Sequence, residues 1–380
     1  MRGGNVRTPT GWIADCDVEI SDGQIVAVRP HLAASQADTV DVHGHSVVSG
    51  FFDIHLHGAG GAMFEDGQAD GVVHISDVLA QFGTTAVLAT LAALPPERLR
   101  AAATAIAEAA PDCAGARIAG IHLEGPFINP QRAGAQSAAW MRPPSVDEFE
   151  ALQECSGGMI RLITVAPELP GAIDFIAAAR ARGVVVALGH SQASEGQVLS
   201  AIAAGATHVT HLFNATAPLH HRAPGLLGTA LTDDRLFIEL ICDGEHVHPR
   251  AIDIALRCKP PDKIVLVSDG VAAVGMPAGD LELFGVPCIS RESVRVRASG
   301  QLAGSNATLE RAVRLLRAWF PAAPLDRFLD WATVTPARLL GLVSAGLVPG
   351  ARADLVVLDA DLRVSASVCG GRLIRAHATP

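Results

Sequence analysis

The sequence has few basic residues and no basic run. It contains 29 lysines and arginines against 39 acidic residues, which gives a formal net charge of -10 at pH 7. A nucleic-acid surface needs clustered cations, so this composition argues against nucleic acid as a partner. An anionic small molecule is not excluded, because its site needs only one or two local cations.

Cysteine pairs and long apolar runs are also absent. The seven cysteines are scattered and include no C-x-x-C pair, so we expect neither a disulfide framework nor a cysteine zinc site. No apolar stretch approaches the length of about 18 residues that would span a bilayer, and the N-terminus has no apolar signal region. We therefore expect no membrane partner and a cytoplasmic location.

Hydrophobic residues make up 49% of the 380 residues and charged residues 18%, which is typical of a core-forming globular chain. Residues 1–49 contain short apolar segments separated by turns. After them, strand and helix patterns alternate, which indicates parallel strands. Eight such strands favour a closed (β/α)8 TIM-like barrel. The predicted barrel strands cover residues 51–57, 85–89, 117–123, 160–165, 184–188, 207–211, 237–242 and 264–268.

Strand patterning returns near the C-terminus, at residues 353–359. We infer that both ends of the chain pair into a small β-sandwich domain, residues 1–49 plus 346–380, beside a barrel domain of residues 50–345. A loop is expected after the sixth barrel strand as far as Gly228, and a hairpin at residues 286–298. The overall fold class predicted is α/β.

Histidine and acidic residues, which commonly bind metal ions, occur at the ends of the predicted barrel strands. They are His55, His57, Glu124, His190, His211 and Asp269. All strand ends of a barrel lie on one face, and a His-x-His pair on a strand points to one side of it. Imidazole and carboxylate groups suit zinc, iron or manganese. The combined pattern predicts a metal centre in which barrel geometry and ligand chemistry agree.

Each of these residues also has an ordinary structural interpretation. Glu124 alone would be consistent with a loop cap, and a strand-end histidine is often only hydrogen-bonded in a loop. His208 is opposite in phase to His211, so we interpret it as a barrel or interface histidine. His43 and His45 fit a turn in a small β-structure.

The motifs resemble those of N-acetylglucosamine-6-phosphate deacetylases, within the amidohydrolase superfamily, over nearly the whole chain. His-x-His marks only the superfamily, whereas HLEGPF and HLFNA together are specific to the deacetylases. The matching segments are residues 50–58 (GFFDIHLHG), 122–127 (HLEGPF), 188–191 (LGHS), 210–215 (THLFNA), 221–225 (HRAPG), 243–247 (DGEHV), 267–270 (VSDG) and 349–354 (PGARAD).

The resemblance implies a ligand set. Glu124, His190 and His211 match the ligands of the main divalent metal, and His55 and His57 match a pair that binds a second metal in some members. Zinc is the expected ion, with iron, manganese or cobalt as alternatives, and one or two ions per subunit.

The resemblance also implies roles in catalysis and substrate binding. Asp269 matches the catalytic aspartate, and Asn214 and Ala215 match contacts to the sugar. Arg222 and His246 match the phosphate-binding residues, the arginine being contributed by the neighbouring subunit of a homodimer.

Two features depart from related enzymes. The deacetylases usually have a histidine at the position of Gln136, where it helps to polarise the substrate carbonyl; a glutamine can donate a hydrogen bond but cannot carry charge. We expect Gln136 to contact the substrate, either at a cost in rate or as a sign of a different acyl group or sugar. The only two lysines, Lys259 and Lys263, are not at interior strand ends, so a carboxylated-lysine metal bridge is not expected.

The expected function is metal-dependent hydrolysis of the N-acetyl amide of N-acetylglucosamine 6-phosphate to glucosamine 6-phosphate and acetate, with Asp269 as general base and acid. One alternative is an amidohydrolase acting on another N-acyl amino sugar phosphate, such as the galacto epimer, or on a different amide. Another is a non-catalytic sugar-phosphate sensor, against which the retained Asp269 and the complete ligand set argue.

Overall fold

A computed structural model describes residues 1–31, 39–342 and 346–375. The strands, in chain order, are β1 (Gly4–Thr8), β2 (Gly11–Ser21), β3 (Gln24–Pro30), β4 (Ser46–Ser49), β5 (Phe51–Leu56), β6 (Gly58–Ala59), β7 (Ala62–Met63), β8 (Thr84–Ala92), β9 (Arg117–Glu124), β10 (Ile160–Val165), β11 (Val185–Leu188), β12 (His208–Val209), β13 (Phe237–Ile241), β14 (Ile264–Val267), β15 (Gly279–Leu283), β16 (Val286–Ser290), β17 (Val294–Val296), β18 (Leu355–Leu358), β19 (Val364–Cys369) and β20 (Arg372–Arg375).

The α-helices, in chain order, are α1 (Ala69–Gln81), α2 (Pro96–Ala109), α3 (Val146–Cys155), α4 (Ala172–Ala181), α5 (Glu195–Ala204), α6 (Gly225–Thr232), α7 (Pro249–Cys258), α8 (Leu309–Trp319), α9 (Leu325–Ala332) and α10 (Val334–Leu339). Within the described ranges, none of these helices is long and apolar enough to cross a membrane.

Eight parallel strands form the central sheet, and each pairs with the next one along the chain, from β5 and β8 through to β14. The last strand lies against the first: Asp269 N donates to the carbonyl of His55 at 2.9 Å, and His57 N donates to that of Gly270 at 2.7 Å. This arrangement confirms the α/β fold class and the TIM-like barrel.

The strands are buried on both faces, and their side chains alternate between two cores. On β14, Val265 and Val267 pack with the residues inside the barrel, whereas Ile264 and Leu266 pack with the surrounding helices. This period of two follows from strand geometry and explains why the strands are almost purely apolar. The barrel is therefore a packed core, and polar groups are concentrated where its strands end.

Strands from both ends of the chain share a second sheet, in the order β20-β19-β18-β4-β1-β2-β3. In β4, Val47 packs into this sheet's own core and Val48 into the core around the barrel, so the sheet is attached to the barrel through one face. The described strands form one seven-stranded sheet, and a separate β-sandwich domain stays a prediction. Residues 32–38, 343–345 and 376–380 of the predicted domains lie outside the described residues.

Several helices differ from the sequence prediction. Helix α1 was not expected, because it begins without a side-chain cap at Gln68 and contains Gly71. The prediction of a loop as far as Gly228 was wrong, since α6 begins at Gly225. The hairpin expected at residues 286–298 is present as β16 and β17, and β15 adds a third strand to it.

The attachment of the terminal sheet can be tested at Gly83, which has φ +81° and where an added Cβ would lie 2.8 Å from Val356 Cγ2 of that sheet. Gly183 is a matched control, with φ +77° and nothing within 4 Å of an added Cβ. Both alanine variants strain the backbone, but only Gly83→Ala overpacks the contact. We expect Gly83→Ala to lower the free energy of unfolding by about 1–3 kcal/mol more than Gly183→Ala.

Urea unfolding of both variants measures this difference. Equal losses for Gly83→Ala and Gly183→Ala would mean that the terminal sheet moves aside without cost and is not firmly packed on the barrel.

Candidate functional site

The carboxylate of Glu124, the last residue of β9, lies at the centre of the site. Its Oε1 atom is 3.0 Å from His190 Nε2 and 2.8 Å from His211 Nε2. These histidines follow β11 and β12, so the ends of three barrel strands, β9, β11 and β12, bring the three side chains together. All three side chains are buried.

The first barrel strand brings a second pair of histidines to the same carboxylate. His55 Nε2 lies 3.2 Å from Glu124 Oε1, and His57 Nε2 lies 3.2 Å from Glu124 Oε2. The Oδ1 atom of Asp269, after β14, is 3.5 Å from both of these nitrogens. The sequence prediction that His55 and His57 point to one side of their strand is thus confirmed.

These residues fit a divalent metal. Ligand atoms lie within 4.8 Å of one another in two groups, Glu124 with His190 and His211, and His55 with His57 and Asp269. The two Nε2 atoms of His190 and His211 are only 3.1 Å apart. His55 Nε2 is buried and makes no hydrogen bond to any described residue. Buried ring nitrogens that converge in this way, beside carboxylates, match the donor set of zinc, iron or manganese.

Two carboxylates and a backbone carbonyl contact the other ring nitrogen, Nδ1, of three imidazoles. His55 Nδ1 lies 2.9 Å from Glu239 Oε2, and His57 Nδ1 lies 2.6 Å from Glu65 Oε1. His190 Nδ1 donates to the carbonyl of Arg132 at 2.7 Å. Such bonds fix the tautomer and the ring orientation, so that each Nε2 atom is left facing the centre.

Imidazoles and carboxylates in the site stabilise each other's charged forms. Burial lowers the pKa of His57, but Glu65 and Glu124 outweigh it and raise the value to about 10. Burial raises the pKa of Glu124, but His55 and His190 hold it well below its ordinary value. The carboxylates therefore favour the protonated forms of His55 and His57, and a bound dication would take the place of those protons.

Glu239, on β13, is a residue that the sequence reasoning missed. It is fully buried, and its carboxylate contacts His55 Nδ1, lies 2.8 Å from His208 Nε2 and accepts from His211 N at 2.9 Å. The available signal was a carboxylate inside an apolar strand, because a buried charge needs partners. His208 is buried against Glu239, which agrees with its interpretation as a barrel histidine.

Three residues of the candidate metal centre itself have strained backbones. His190, His211 and Asp269 have φ values of +46°, +25° and +50°. Non-glycine residues avoid this region unless the surrounding structure enforces it, and such strain is concentrated at functional sites. The turns that follow β11, β12 and β14 therefore aim these side chains.

A cavity of about 380 Å³ opens over the centre. Gln136, Asn214, Ala215 and His246, which the resemblance predicts to contact the substrate, line it. Their contact with a substrate stays a prediction. Arg222 does not line the cavity of its own chain; it is exposed, with Nη1 2.7 Å from His221 Nε2.

Two further lining residues gave no signal in the sequence. Phe284 and Arg295 come from the β15–β17 hairpin, which folds over the cavity. The ring centroid of Phe284 is 5.7 Å from that of His57, and Arg295 Nη2 is 3.0 Å from Glu245 Oε2. Only the folded position of this hairpin places Phe284 and Arg295 at the site.

The profile of the Amidohydrolase family matches residues 46–374. The chain belongs to the amidohydrolase family. The N-acetylglucosamine-6-phosphate deacetylase of Vibrio furnissii is 35% identical over 97% of this chain and 93% of that protein. The N-acetylgalactosamine-6-phosphate deacetylase of Escherichia coli O157:H7 is 34% identical over 98% of both chains.

Solved structures agree with these relatives. The crystal structure of N-acetyl-D-glucosamine-6-phosphate deacetylase from Mycobacterium smegmatis has a TM-score of 0.91 and 37% identity, over 97% of this chain and 98% of that one. A mutant of that enzyme has been solved in complex with N-acetyl-D-glucosamine-6-phosphate. The resemblance seen in the sequence is confirmed: this amidohydrolase is an enzyme that hydrolyses an amide, in a family that uses a divalent metal.

A third group of potential ligands, Asp15, His31 and His43, lies at the N-terminal end of the amidohydrolase chain. Its imidazoles already contact carboxylates, Asp17 and Asp41, at 2.8 and 2.6 Å. The guanidinium of Arg2 is also 3.3 Å from His31 Nε2. A cation next to the potential ligand atom disfavours a metal ion here, so we interpret the group as a charge network.

Glu239→Gln tests the support of the metal centre. The amide retains the size of Glu239 but removes the charge that His55 and His208 contact, so we expect Zn²⁺ affinity to fall by about 10–100-fold. Competition with a chromogenic chelator measures the Kd. Glu150→Gln, at an exposed ion pair with Arg182, is the control and should bind Zn²⁺ like wild type. Unchanged affinity in Glu239→Gln would limit Glu239 to a role in packing.

Proposed function

We propose that this amidohydrolase removes the acetyl group from N-acetylglucosamine 6-phosphate, giving glucosamine 6-phosphate and acetate. The observation that carries the proposal is the position of Asp269, whose Oδ1 atom lies 3.5 Å from two ring nitrogens of the centre and lines the open cavity. A proton acceptor beside a candidate metal centre is what hydrolysis of an amide requires. The relatives named above support the sugar phosphate as substrate.

Five residues would hold the metal. Glu124, His190 and His211 would bind the main ion, and His55 and His57 a second one. We propose zinc, with iron, manganese or cobalt as alternatives, and one or two ions per subunit. When bound, such an ion would lower the pKa of a water toward about 7 and would polarise the acyl carbonyl.

Asp269 would move the proton. Its carboxylate accepts a proton from the attacking water and then delivers it to the nitrogen of the departing amine, which is a poor leaving group unless it is protonated. The buried surroundings of His55 and His57 exclude bulk water from one side of Asp269, so the proton stays near the reacting atoms.

Cavity residues would bind the sugar phosphate. Asn214 and Ala215 would contact the sugar, and His246 the phosphate. The imidazole of His246 is oriented by Asp243, since the Nδ1–Oδ2 distance is 2.7 Å. Burial lowers the pKa of His246, but Asp243 outweighs it and raises the net value, which favours the cationic form that binds a phosphate. Arg222 of the partner subunit would complete the site in a homodimer, which fits its exposed position.

The epimer is a second candidate substrate. N-acetylgalactosamine-6-phosphate deacetylases of Escherichia coli O157:H7 and of a Shewanella strain are each 34% identical to this chain, close to the 35% of the Vibrio furnissii enzyme. Overall identity therefore does not separate the two sugars. A different amide is a further alternative.

We also propose that the chain is divided into two domains. Residues 50–345 would form the hydrolase domain, and residues 1–49 with 346–380 a small β-sandwich domain. We propose that the enzyme acts in the cytoplasm.

Acetate release from a panel of sugars tests the function. We expect the metal-loaded enzyme to release acetate from N-acetylglucosamine 6-phosphate, and far less from unphosphorylated N-acetylglucosamine, because His246 and Arg222 would bind the phosphate. The galacto epimer carries the same phosphate, so its rate of acetate release tests which sugar the cavity accepts. Faster release from the epimer would establish the second candidate. No release from any of the three, with metal bound, would refute an N-acetyl amino sugar as the substrate.

Asp269→Asn tests the proton transfer. The amide cannot accept the proton, so we expect kcat to fall by at least about 10²–10⁴-fold, the contribution typical of general acid–base catalysis. Metal content, measured by atomic emission, should remain near the wild-type value. Loss of metal in this variant would show instead that Asp269 is a ligand, as its grouping with His55 and His57 allows.

A further inference from the structure

The side-chain amide of Gln136 bridges two groups at the edge of the centre. Its Nε2 atom donates to Glu124 Oε2 at 2.6 Å, and its Oε1 atom accepts from Ala93 N at 2.8 Å. The residue is 8% exposed, so these bonds are shielded from water. Both ends of the amide are therefore bound to the protein.

The two partners determine which way the amide points. A backbone N–H can only donate, so Ala93 requires the oxygen of Gln136. The nitrogen then faces Glu124, where a carboxylate is an acceptor. A flipped amide would place two donors together at Ala93 and two acceptors together at Glu124, which makes the orientation unambiguous.

The bond to Gln136 also distinguishes the two oxygens of Glu124. Oε1 lies within 3.0 Å of the Nε2 atoms of His190 and His211, whereas Oε2 faces His57 at 3.2 Å and Gln136. Oε1 also lies 3.2 Å from His55 Nε2. The Gln136 amide therefore restrains the rotation of the carboxylate from the Oε2 side. A carboxylate ligand that is hydrogen-bonded in this way loses less freedom when it binds a metal.

We propose that Gln136 is a positioning residue for the metal ligand Glu124, rather than the group that polarises the substrate carbonyl. One N–H of its amide donates to Glu124. The other N–H can still donate a hydrogen bond, but the amide is neutral, so it can supply neither charge nor a proton to the substrate. Polarisation of the carbonyl then falls to the metal centre, for which the chain retains both His55 and His57. The inference rests on the proposed function only in taking Glu124 as a metal ligand.

Two variants separate the contacts of Gln136. Gln136→Met keeps the approximate length of the side chain and removes both hydrogen bonds. Gln136→Glu keeps the acceptor for Ala93 N but places a second carboxylate against Glu124. Gln131→Met is the matched control, because Gln131 lies on the same loop, is exposed and bonds to Gln192 at 2.6 Å instead. Thermal unfolding of the metal-free proteins verifies that all of them fold.

The measurements are the stoichiometry and Kd of Zn²⁺ and Co²⁺, the visible spectrum of the Co²⁺ form, and kcat and KM at saturating metal. We expect Gln136→Met and Gln136→Glu each to weaken metal binding by about 10–100-fold and to change the Co²⁺ spectrum, whereas KM changes little. Gln131→Met should match wild type in every measurement.

Several results would overturn the proposal. A raised KM with wild-type metal affinity in Gln136→Met would make Gln136 a substrate contact. Wild-type affinity in Gln136→Glu, but not in Gln136→Met, would reduce its role to anchoring the loop at Ala93. A wild-type protein that binds metal but hydrolyses no amino sugar would refute the proposed function alone, and one that binds no divalent metal would refute both.

Discussion

The convergence of four imidazole nitrogens on the carboxylate of Glu124 is the constraint on which the rest of the site depends. Each of these nitrogens lies within 3.2 Å of a Glu124 oxygen, and all five side chains are buried. A buried carboxylate without partners would be strongly destabilising, and so would buried imidazolium groups. The cluster is therefore stable only as a whole, with protons or a metal ion balancing its negative charge.

The surroundings of the cluster can be understood from this requirement. Glu65 and Glu239 hold the outer nitrogens of His57 and His55, and Gln136 holds the free side of Glu124. These groups come from the segment after β7, from β13 and from the loop after β9, so the site depends on how these distant segments pack at the carboxyl ends of the barrel strands. The left-handed backbone at Asp269 is a local cost of this arrangement, which the fixed strand positions impose.

The candidate metal ligands and the loops that line the cavity belong to different parts of the fold. The candidate metal ligands and Asp269 stand on or directly after barrel strands, where the register of the sheet fixes their spacing. The cavity above them is lined by loops and by the β15–β17 hairpin, which contributes Phe284 and Arg295. Loops can vary without disturbing the barrel, and relatives named for two epimeric sugars are almost equally similar to this chain.

The barrel strands and their ends could be predicted from the sequence, because both are local properties. Apolar runs bounded by glycine and proline mark the strands, and the residues at their ends, such as His55, Glu124 and Asp269, then share one face of any closed barrel. The weak helix signal at α1 and the two glycines of α6 concealed those elements, since tertiary packing stabilises them more than their own propensity does.

The partners of these residues became apparent only in the folded chain. Glu239 contacts His55 across 184 residues of sequence, and Gln136 reaches Ala93 across 43. Nothing in the local pattern around Gln136 indicates that its amide would bind a neighbouring carboxylate rather than face the cavity. Hydrogen bonds between distant segments depend on the register of the strands and the course of the loops, and these are set by the packing of the complete chain.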